Sequence, residues 1–262
     1  MSGKPDIGIR QIIQLVDARL LELSEGNGEY ASFNKKIVNT RKRLIGVRTP
    51  DMRRLAKSLA KGKFPMGSGG GLAGPMDAEA VAGFMGAMDA ESYEHVFLAG
   101  LLINYAKLTD GERIGLAREY LKHADSWALI DLFAEKMRSY DRSLWWQFAV
   151  ECLASREEYT VRYGVVVLMA NYLDDEYIDR VFAELRKVAH DGYYVRMGMA
   201  WLYADAAVLF YEKTLGELER ESLSLWTRRK ALTKMLESYR FTPEQKEELR
   251  AKRAGLPKSK VS

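Results

Sequence analysis

Aromatic residues recur along the chain at intervals of 32 to 34 residues, at Tyr93, Trp127, Tyr159, Tyr193 and Trp226. Each of the last three is followed by an arginine, a small residue and an apolar residue in the same phase: Arg162, Gly164 and Val165, then Arg196, Gly198 and Met199, then Arg229, Ala231 and Leu232. A two-helix unit of this length cannot bury its apolar face alone, whereas stacked units can. The repeat therefore predicts an all-α protein built as an α-solenoid, an αα superhelix. Chance spacing on ordinary helices is the alternative.

Helical signals extend to both ends of the chain. From Ile9 to Leu23, apolar residues stand three and four positions apart, which is the stripe of an amphipathic helix. Thr49 and Pro50 have the residue types of an N-cap and a first helical position. A last charged helix is expected after Thr242, whereas strand signals are weak throughout.

No composition shift divides the chain, so we expect residues 1–262 to form a single domain of helical repeats. Two segments interrupt the pattern. Residues 64–76 are rich in glycine and lack periodicity and charge, which predicts a flexible loop. Residues 255–262 are expected to fray into a basic tail.

Cysteine and histidine usage limits the chemistry of the chain. Cys152 is the one cysteine, and the three histidines are scattered, so the sequence predicts no disulfide, no metal site and no cofactor. No apolar run approaches the ~20 residues that span a bilayer, and the first ten residues lack the apolar core of a signal peptide. We therefore expect no membrane association and a reducing, cytoplasmic location.

Positive charge is concentrated in one window. Between Lys35 and Lys63 there are eleven basic residues and one acid, Asp51, so this window carries a charge of +10 while the rest of the chain carries −6. A solvated helix face normally mixes the two signs, and a block of one sign indicates a polyanionic partner, most commonly a phosphate backbone. An ordinary solvated face is the alternative.

The arginines of the repeat extend this hypothesis. Arg162, Arg196 and either Arg228 or Arg229 stand at equivalent places in successive repeats, where they could continue a basic wall along a solenoid. Each could equally be a structural residue that pairs with the adjacent repeat.

At this point the sequence resembles the AlkD-like HEAT-repeat family of DNA alkylation repair enzymes, several of which are DNA glycosylases. The resemblance covers most of the chain. It depends on Gly46 to Pro50 with Arg53, on Asp125 to Trp127 with Asp131, on the blocks 159–162 and 193–201, and on 228–231. It implies an α-solenoid that grips double-stranded DNA and excises cationic N3- or N7-alkylated purines without moving the base into a pocket.

The resemblance also implies the site residues. An alkylated purine is already cationic and leaves readily, so a carboxylate that stabilises the developing sugar cation suffices for cleavage. Asp131 matches the catalytic aspartate, and Trp127 and Trp201 match tryptophans that contact the sugar and the lesion, by apolar and cation–π interactions. The residues predicted to contact the DNA backbone are Arg41, Lys42, Arg43, Arg48, Arg53, Arg162, Arg196, Arg228 and Arg229. From the residues alone, Trp127 fits a core position and Asp131 a solvated one.

The chain departs from the family pattern at three positions. Ala170 and Ala204 stand where glycosylase members carry a lysine and an arginine, and Ile37 stands near the place of a cleft tyrosine. Two alternatives to a glycosylase therefore stay open: a non-catalytic HEAT-like protein that binds distorted or branched DNA, and a protein-binding scaffold. For each DNA-binding hypothesis we expect a monomer, associated with the nucleoid when it is bound to DNA.

Overall fold

The computed structural model describes residues 8–63, 74–134, 136–137 and 139–257. This part of the chain contains fourteen α-helices and no β-strand, and its backbone pairing outside helices includes one isolated bridge between Arg43 and Ser92. The prediction of an all-α fold of stacked helices is therefore confirmed. The chain forms two compact units, Met1–Phe133 and Ala134–Ser262.

The first unit contains seven of the described helices. They are α1 (Ile9–Ser24), α2 (Gly28–Ile37), α3 (Thr49–Ala60), α4 (Ala78–Ala87), α5 (Tyr93–Tyr105), α6 (Asp110–Leu121) and α7 (Trp127–Phe133). Within this unit α3, α5 and α7 pack side by side in a row, and α4 and α6 cover α5. Helix α5 is the centre of the core, because eleven of its thirteen residues are buried.

The second unit repeats this plan. Its helices are α8 (Arg142–Leu153), α9 (Glu158–Asn171), α10 (Ile178–Leu185), α11 (Tyr193–Leu209), α12 (Tyr211–Leu218), α13 (Leu225–Glu237) and α14 (Pro243–Gly255). Here α9, α11 and α13 form the row, while α8, α12 and α14 each pack on one of its members.

The recurring aromatic residues mark the start of the row helices. Tyr93, Trp127 and Tyr193 are the first residues of α5, α7 and α11, and Tyr159 and Trp226 are the second residues of α9 and α13. Each repeat therefore begins its row helix at the same phase. This is the helix–turn–helix stacking that the sequence spacing predicts.

The structure adjusts one helix boundary, bears out another, and leaves two segments partly outside its description. Thr49 is the first residue of α3 and not its N-cap, because the carbonyl of Arg48 already accepts the Met52 N–H at 3.1 Å. The expected charged helix is α14, which Thr242 caps. Residues 64–73 of the predicted loop and 258–262 of the predicted tail lie outside the described residues. The single-domain organisation stays a prediction.

Candidate nucleic-acid interface

The basic window of the sequence is centred on the connection between α2 and α3, here called the 38–48 loop. This loop runs beside the N-terminal ends of α5 and α7, to which two carboxylates attach it. Asp125, just before α7, accepts hydrogen bonds from the Thr40 hydroxyl at 2.7 Å and from the Arg41 backbone N–H at 2.9 Å. Thr40 and Arg41 precede Asp125 by 85 and 84 positions in the sequence, so a distant carboxylate holds this part of the loop.

Glu94 provides the second attachment. Its carboxylate accepts the backbone N–H groups of Ile45, Gly46 and Val47 at 2.9, 2.7 and 3.3 Å. The side chain is 1% exposed, and a buried carboxylate is tolerated only where donors such as these replace water. Burial also raises the pKa of the neighbouring Tyr93 phenol, and the Glu94 charge adds to that rise.

Gly46 is required at the point where the loop passes α2. Its φ of +101° lies in the region that favours glycine, and an added Cβ would lie 2.7 Å from the Cβ of Ala31. The loop therefore packs closely on one side of α2, which fixes the position of that short helix.

The cations of the loop differ in how far they are already engaged. Lys42 donates to the Ala90 carbonyl at 2.6 Å, Arg43 pairs with Asp89 at 2.7 Å, and Arg48 stacks 4.9 Å from the Tyr30 ring centroid. Arg41 is exposed, and in the described part of the chain its guanidinium makes no ion pair or hydrogen bond.

Other basic residues of the window lie on α3. Arg53 donates to the Tyr105 hydroxyl at 2.7 Å, and the Lys57 ammonium lies 5.2 Å from the same ring. Arg54 pairs with Asp51 on its own helix. The three cations of α3 are therefore each engaged within the fold, as Lys42, Arg43 and Arg48 are in the loop.

Trp127 and Asp131 occupy successive turns of α7. The half-buried Trp127 indole donates to the backbone carbonyl of Ile37 at 2.9 Å, which joins α7 to the end of α2. Asp131 is also half-buried, and residues four apart share one side of a helix. The structure thus brings Trp127 and Asp125 together with the Arg41 segment at the start of α7, and Asp131 lies one turn further along the same helix.

The repeat arginines of the second unit are engaged with neighbouring repeats. Arg162 is buried and donates to the Tyr194 carbonyl at 2.8 Å, and the Arg196 guanidinium lies 5.0 Å from the Trp226 ring centroid. Arg229 donates to the carbonyls of Leu256 and Pro257, just after α14, at 2.9 and 3.0 Å. These placements favour the structural alternative for Arg162 and Arg229.

Arg228 and Trp201 complete the predicted set. Arg228 donates to the Leu218 carbonyl at 2.5 Å, at the end of α12, and Trp201 is half-buried in the middle of α11. Trp201 and Arg162 belong to the second unit, whereas Trp127 and Asp131 belong to the first, so the predicted convergence of these four residues stays a prediction.

Sequence reasoning missed the role of the acidic residues beside the recurring aromatics. Glu94 follows Tyr93, and Glu158 precedes Tyr159 and accepts the backbone N–H of Tyr194 at 2.6 Å. The sequence does contain a signal for this role, because an acid stands within two residues of an aromatic residue at the start of α5, α7 and α9. Such acids accept backbone amides from another segment.

No group of three or more His, Cys, Asp or Glu side chains is arranged to hold a metal ion in the part of the chain that the structure covers. Among the same residues, no helix combines the length and apolar character needed to cross a membrane.

Comparison with known proteins assigns the chain to a family. No curated protein and no solved structure matches the chain. A sequence model of the family described as DNA alkylation repair enzyme matches residues 20–235, which span the chain from the end of α1 to α13. This chain therefore belongs to the DNA alkylation repair enzyme family.

Proposed function

We propose that the protein binds double-stranded DNA and acts as a glycosylase that excises cationic N3- or N7-alkylated purines. The observation that supports this is the placement of Trp127 and Asp131 on adjacent turns of α7, beside the exposed Arg41 that Asp125 attaches to the same helix end. The start of α7 therefore offers a cation for phosphate and an indole for the sugar or the base, and the next turn of the helix offers a carboxylate.

The proposed chemistry needs no strong acid. The alkylated purine carries a positive charge before cleavage, so the bond to the sugar breaks with charge developing on the deoxyribose. The Asp131 carboxylate stabilises that oxocarbenium-like cation, and a preorganised charge of this kind has its largest effect in a partly desolvated site. Trp127 contributes an aromatic face, and a cation–π contact with such a face contributes about 0.5 to 2 kcal/mol of interaction free energy.

The test is release of 7-methylguanine and 3-methyladenine from methylated DNA by the wild type and by Asp131→Asn. The amide keeps the shape of the side chain but removes its charge, so we expect the rate of excision to fall by roughly 10- to 1000-fold. Duplex affinity should not weaken, because a carboxylate near phosphates repels them.

Asp175→Asn is the matched control, since it removes the same charge from an exposed position between α9 and α10. An Asp131→Asn variant that excises both bases at the wild-type rate would remove Asp131 from the mechanism.

A non-catalytic DNA-binding protein is the second candidate. Ala204 is buried and Ala170 half-buried, so neither position supplies the cation that the family resemblance assigns there. Under this alternative the wild type binds duplex DNA and releases no alkylpurine. The monomeric state and the cytoplasmic, nucleoid-associated location stay predictions.

A further inference from the structure

Asp125 connects the exposed cation of the 38–48 loop with the start of α7. Its Oδ1 accepts the Thr40 hydroxyl at 2.7 Å, and its Oδ2 accepts the Arg41 backbone N–H at 2.9 Å. We propose that Asp125 is a positioning residue, which fixes Arg41 for contact with a DNA phosphate and keeps the Trp127 indole in place beside it. This inference rests on the proposed DNA binding and names the residue that prepares the binding surface.

The five residues from Ile37 to Arg41 are joined to the start of α7 at both of their ends. At one end the Trp127 indole N–H donates to the Ile37 carbonyl at 2.9 Å, and at the other end Asp125 binds Thr40 and Arg41. Asp125 and Trp127 are two residues apart, so both contacts start from the same short stretch of chain. A segment this short with two fixed ends has little conformational freedom, and release of one end should loosen the other.

The backbone inside this segment is strained. Asn39 has a φ of +50°, and among the described residues it is the one residue other than glycine with a positive φ. Asparagine adopts this left-handed conformation more readily than most residues, but the conformation persists only where the surroundings impose it. The hydrogen bonds on either side of Asn39 do so. Backbone strain that is maintained in this way is typical of functional sites.

The Thr40 hydroxyl extends the effect of Asp125 along the loop. It donates to Asp125 and also accepts the Lys42 backbone N–H at 3.1 Å. The two peptide groups that flank the Arg41 Cα are therefore both fixed, one by Asp125 and one by Thr40. A cation whose backbone is ordered before binding loses less conformational entropy when it contacts a phosphate.

The charge of Asp125 supports a role in positioning. A carboxylate beside a DNA-binding surface repels phosphates, which by itself weakens binding. Asp125 is half-buried at the start of α7, next to the exposed Arg41. The order that it gives to Arg41 offsets this repulsion.

A double-mutant cycle on duplex affinity tests the positioning role. In the wild-type background, Arg41→Ala should weaken duplex binding by roughly five- to tenfold at about 0.1 M salt, which is the effect of one phosphate contact. In the Asp125→Ala background, the same change should weaken binding by less than about twofold, because the guanidinium no longer starts from a fixed backbone.

Asp125→Asn is the matched control for charge. It removes the same charge as Asp125→Ala, but its amide oxygen can accept the Arg41 N–H and its NH₂ group can donate to the Thr40 hydroxyl oxygen. The effect of Arg41→Ala should therefore be retained in the Asp125→Asn background.

The indole N–H of Trp127 provides a second readout. Its ¹H–¹⁵N resonance is the indole signal that Trp127→Phe removes from the spectrum. We expect Asp125→Ala to shift or broaden this signal and Asp125→Asn to leave it close to its wild-type position. If Asp125→Ala fails to fold, Thr40→Val takes its place in both measurements, because it removes the hydroxyl at nearly constant volume, and Thr40→Ser should restore the wild-type results.

The outcomes separate the positioning role from the proposed function. An Arg41 effect of equal size in the wild type and in Asp125→Ala overturns the positioning role and leaves DNA binding standing. The same holds if Arg41→Ala binds as tightly as the wild type, or if the Arg41 effect is lost in Asp125→Asn as well, which would assign it to charge. A wild type that binds no duplex overturns both proposals.

Discussion

At the scale of single residues, the most basic segment of the chain depends on a buried acid, Glu94, for its shape. The two oxygens of Glu94 divide three backbone donors between them: Oε1 accepts from Gly46 and Val47, and Oε2 accepts from Ile45. A carboxylate has only acceptors, which matches a site with only donors. The position of the second half of the loop therefore follows from an acid 47 to 49 residues further along the chain.

This arrangement predicts that Glu94→Gln destabilises the protein. The glutamine oxygen still accepts the N–H groups on one side of the carboxylate site. Its NH₂ group is a donor and then faces the remaining backbone N–H, which is also a donor. The charge that strengthened all three hydrogen bonds is lost. We expect the free energy of unfolding to fall by about 1 to 3 kcal/mol, measured by urea denaturation. Glu247→Gln, on the exposed side of α14, should change it by less than about 0.5 kcal/mol. Equal stability of Glu94→Gln and the wild type would contradict a structural role for the carboxylate.

At the scale of helices, the small residues of the repeat do not all serve the same purpose. A Cβ added at Gly164 would lie 2.8 Å from the Ala149 carbonyl oxygen, so α8 and α9 approach through this glycine. At the equivalent Gly198 the nearest atom would be an Arg162 nitrogen at 3.4 Å, which is almost an ordinary contact. The sequence aligned these two glycines, but only one of them is required by close packing.

Gly164→Ala and Gly198→Ala form a matched pair that tests this difference. Gly164→Ala forces α8 away from α9, so it should lower the free energy of unfolding by about 1 to 3 kcal/mol. Gly198→Ala gains helix propensity and meets little crowding, so its change should lie near zero or up to about 1 kcal/mol in the stabilising direction. Thermal or urea unfolding of both variants decides the matter, and a Gly198→Ala variant as unstable as Gly164→Ala would show that both glycines are required.

At the scale of the whole molecule, charge is distributed unevenly between segments. The window from Lys35 to Lys63 carries +10 against −6 for the rest, and it lies entirely in the Met1–Phe133 unit. Arg43 and Arg54 of this window form ion pairs with Asp89 and Asp51. Arg41 is the loop cation that the described structure leaves available, so it should carry a full share of the binding to phosphate.

We therefore expect duplex affinity to fall steeply as salt rises, and Arg41→Ala to lower the slope of log K against log[salt] by about 1. The loss should be equal for all sequences, because phosphate contacts carry no base information. Lys107→Ala is the control: Lys107 is exposed beyond the C-terminal end of α5, about 20 Å along that helix from the loop. Replacing Arg41, Lys42 and Arg43 together should weaken binding further, and unchanged binding by this triple variant would place the phosphate surface elsewhere.

The sequence alone determined the class of fold and the phase of the repeat. The apolar stripe of each helix and the need of each two-helix unit for a neighbour are local properties that the sequence contains. The structure adds that the five recurring aromatic residues stand at the first or second position of a row helix. The family resemblance also came from local blocks, and the match over residues 20–235 agrees with it.

Only the tertiary structure decided which of the candidate side chains are engaged and which remain available. The sequence predicts a contact with the DNA backbone for both Arg162 and Arg41. In the structure Arg162 is buried and donates to the Tyr194 carbonyl, whereas Arg41 is exposed. The partners of these residues lie tens of positions away in the chain, and a hydrogen bond or a close contact depends on distances of a few tenths of an ångström that no pattern of neighbouring residue types contains.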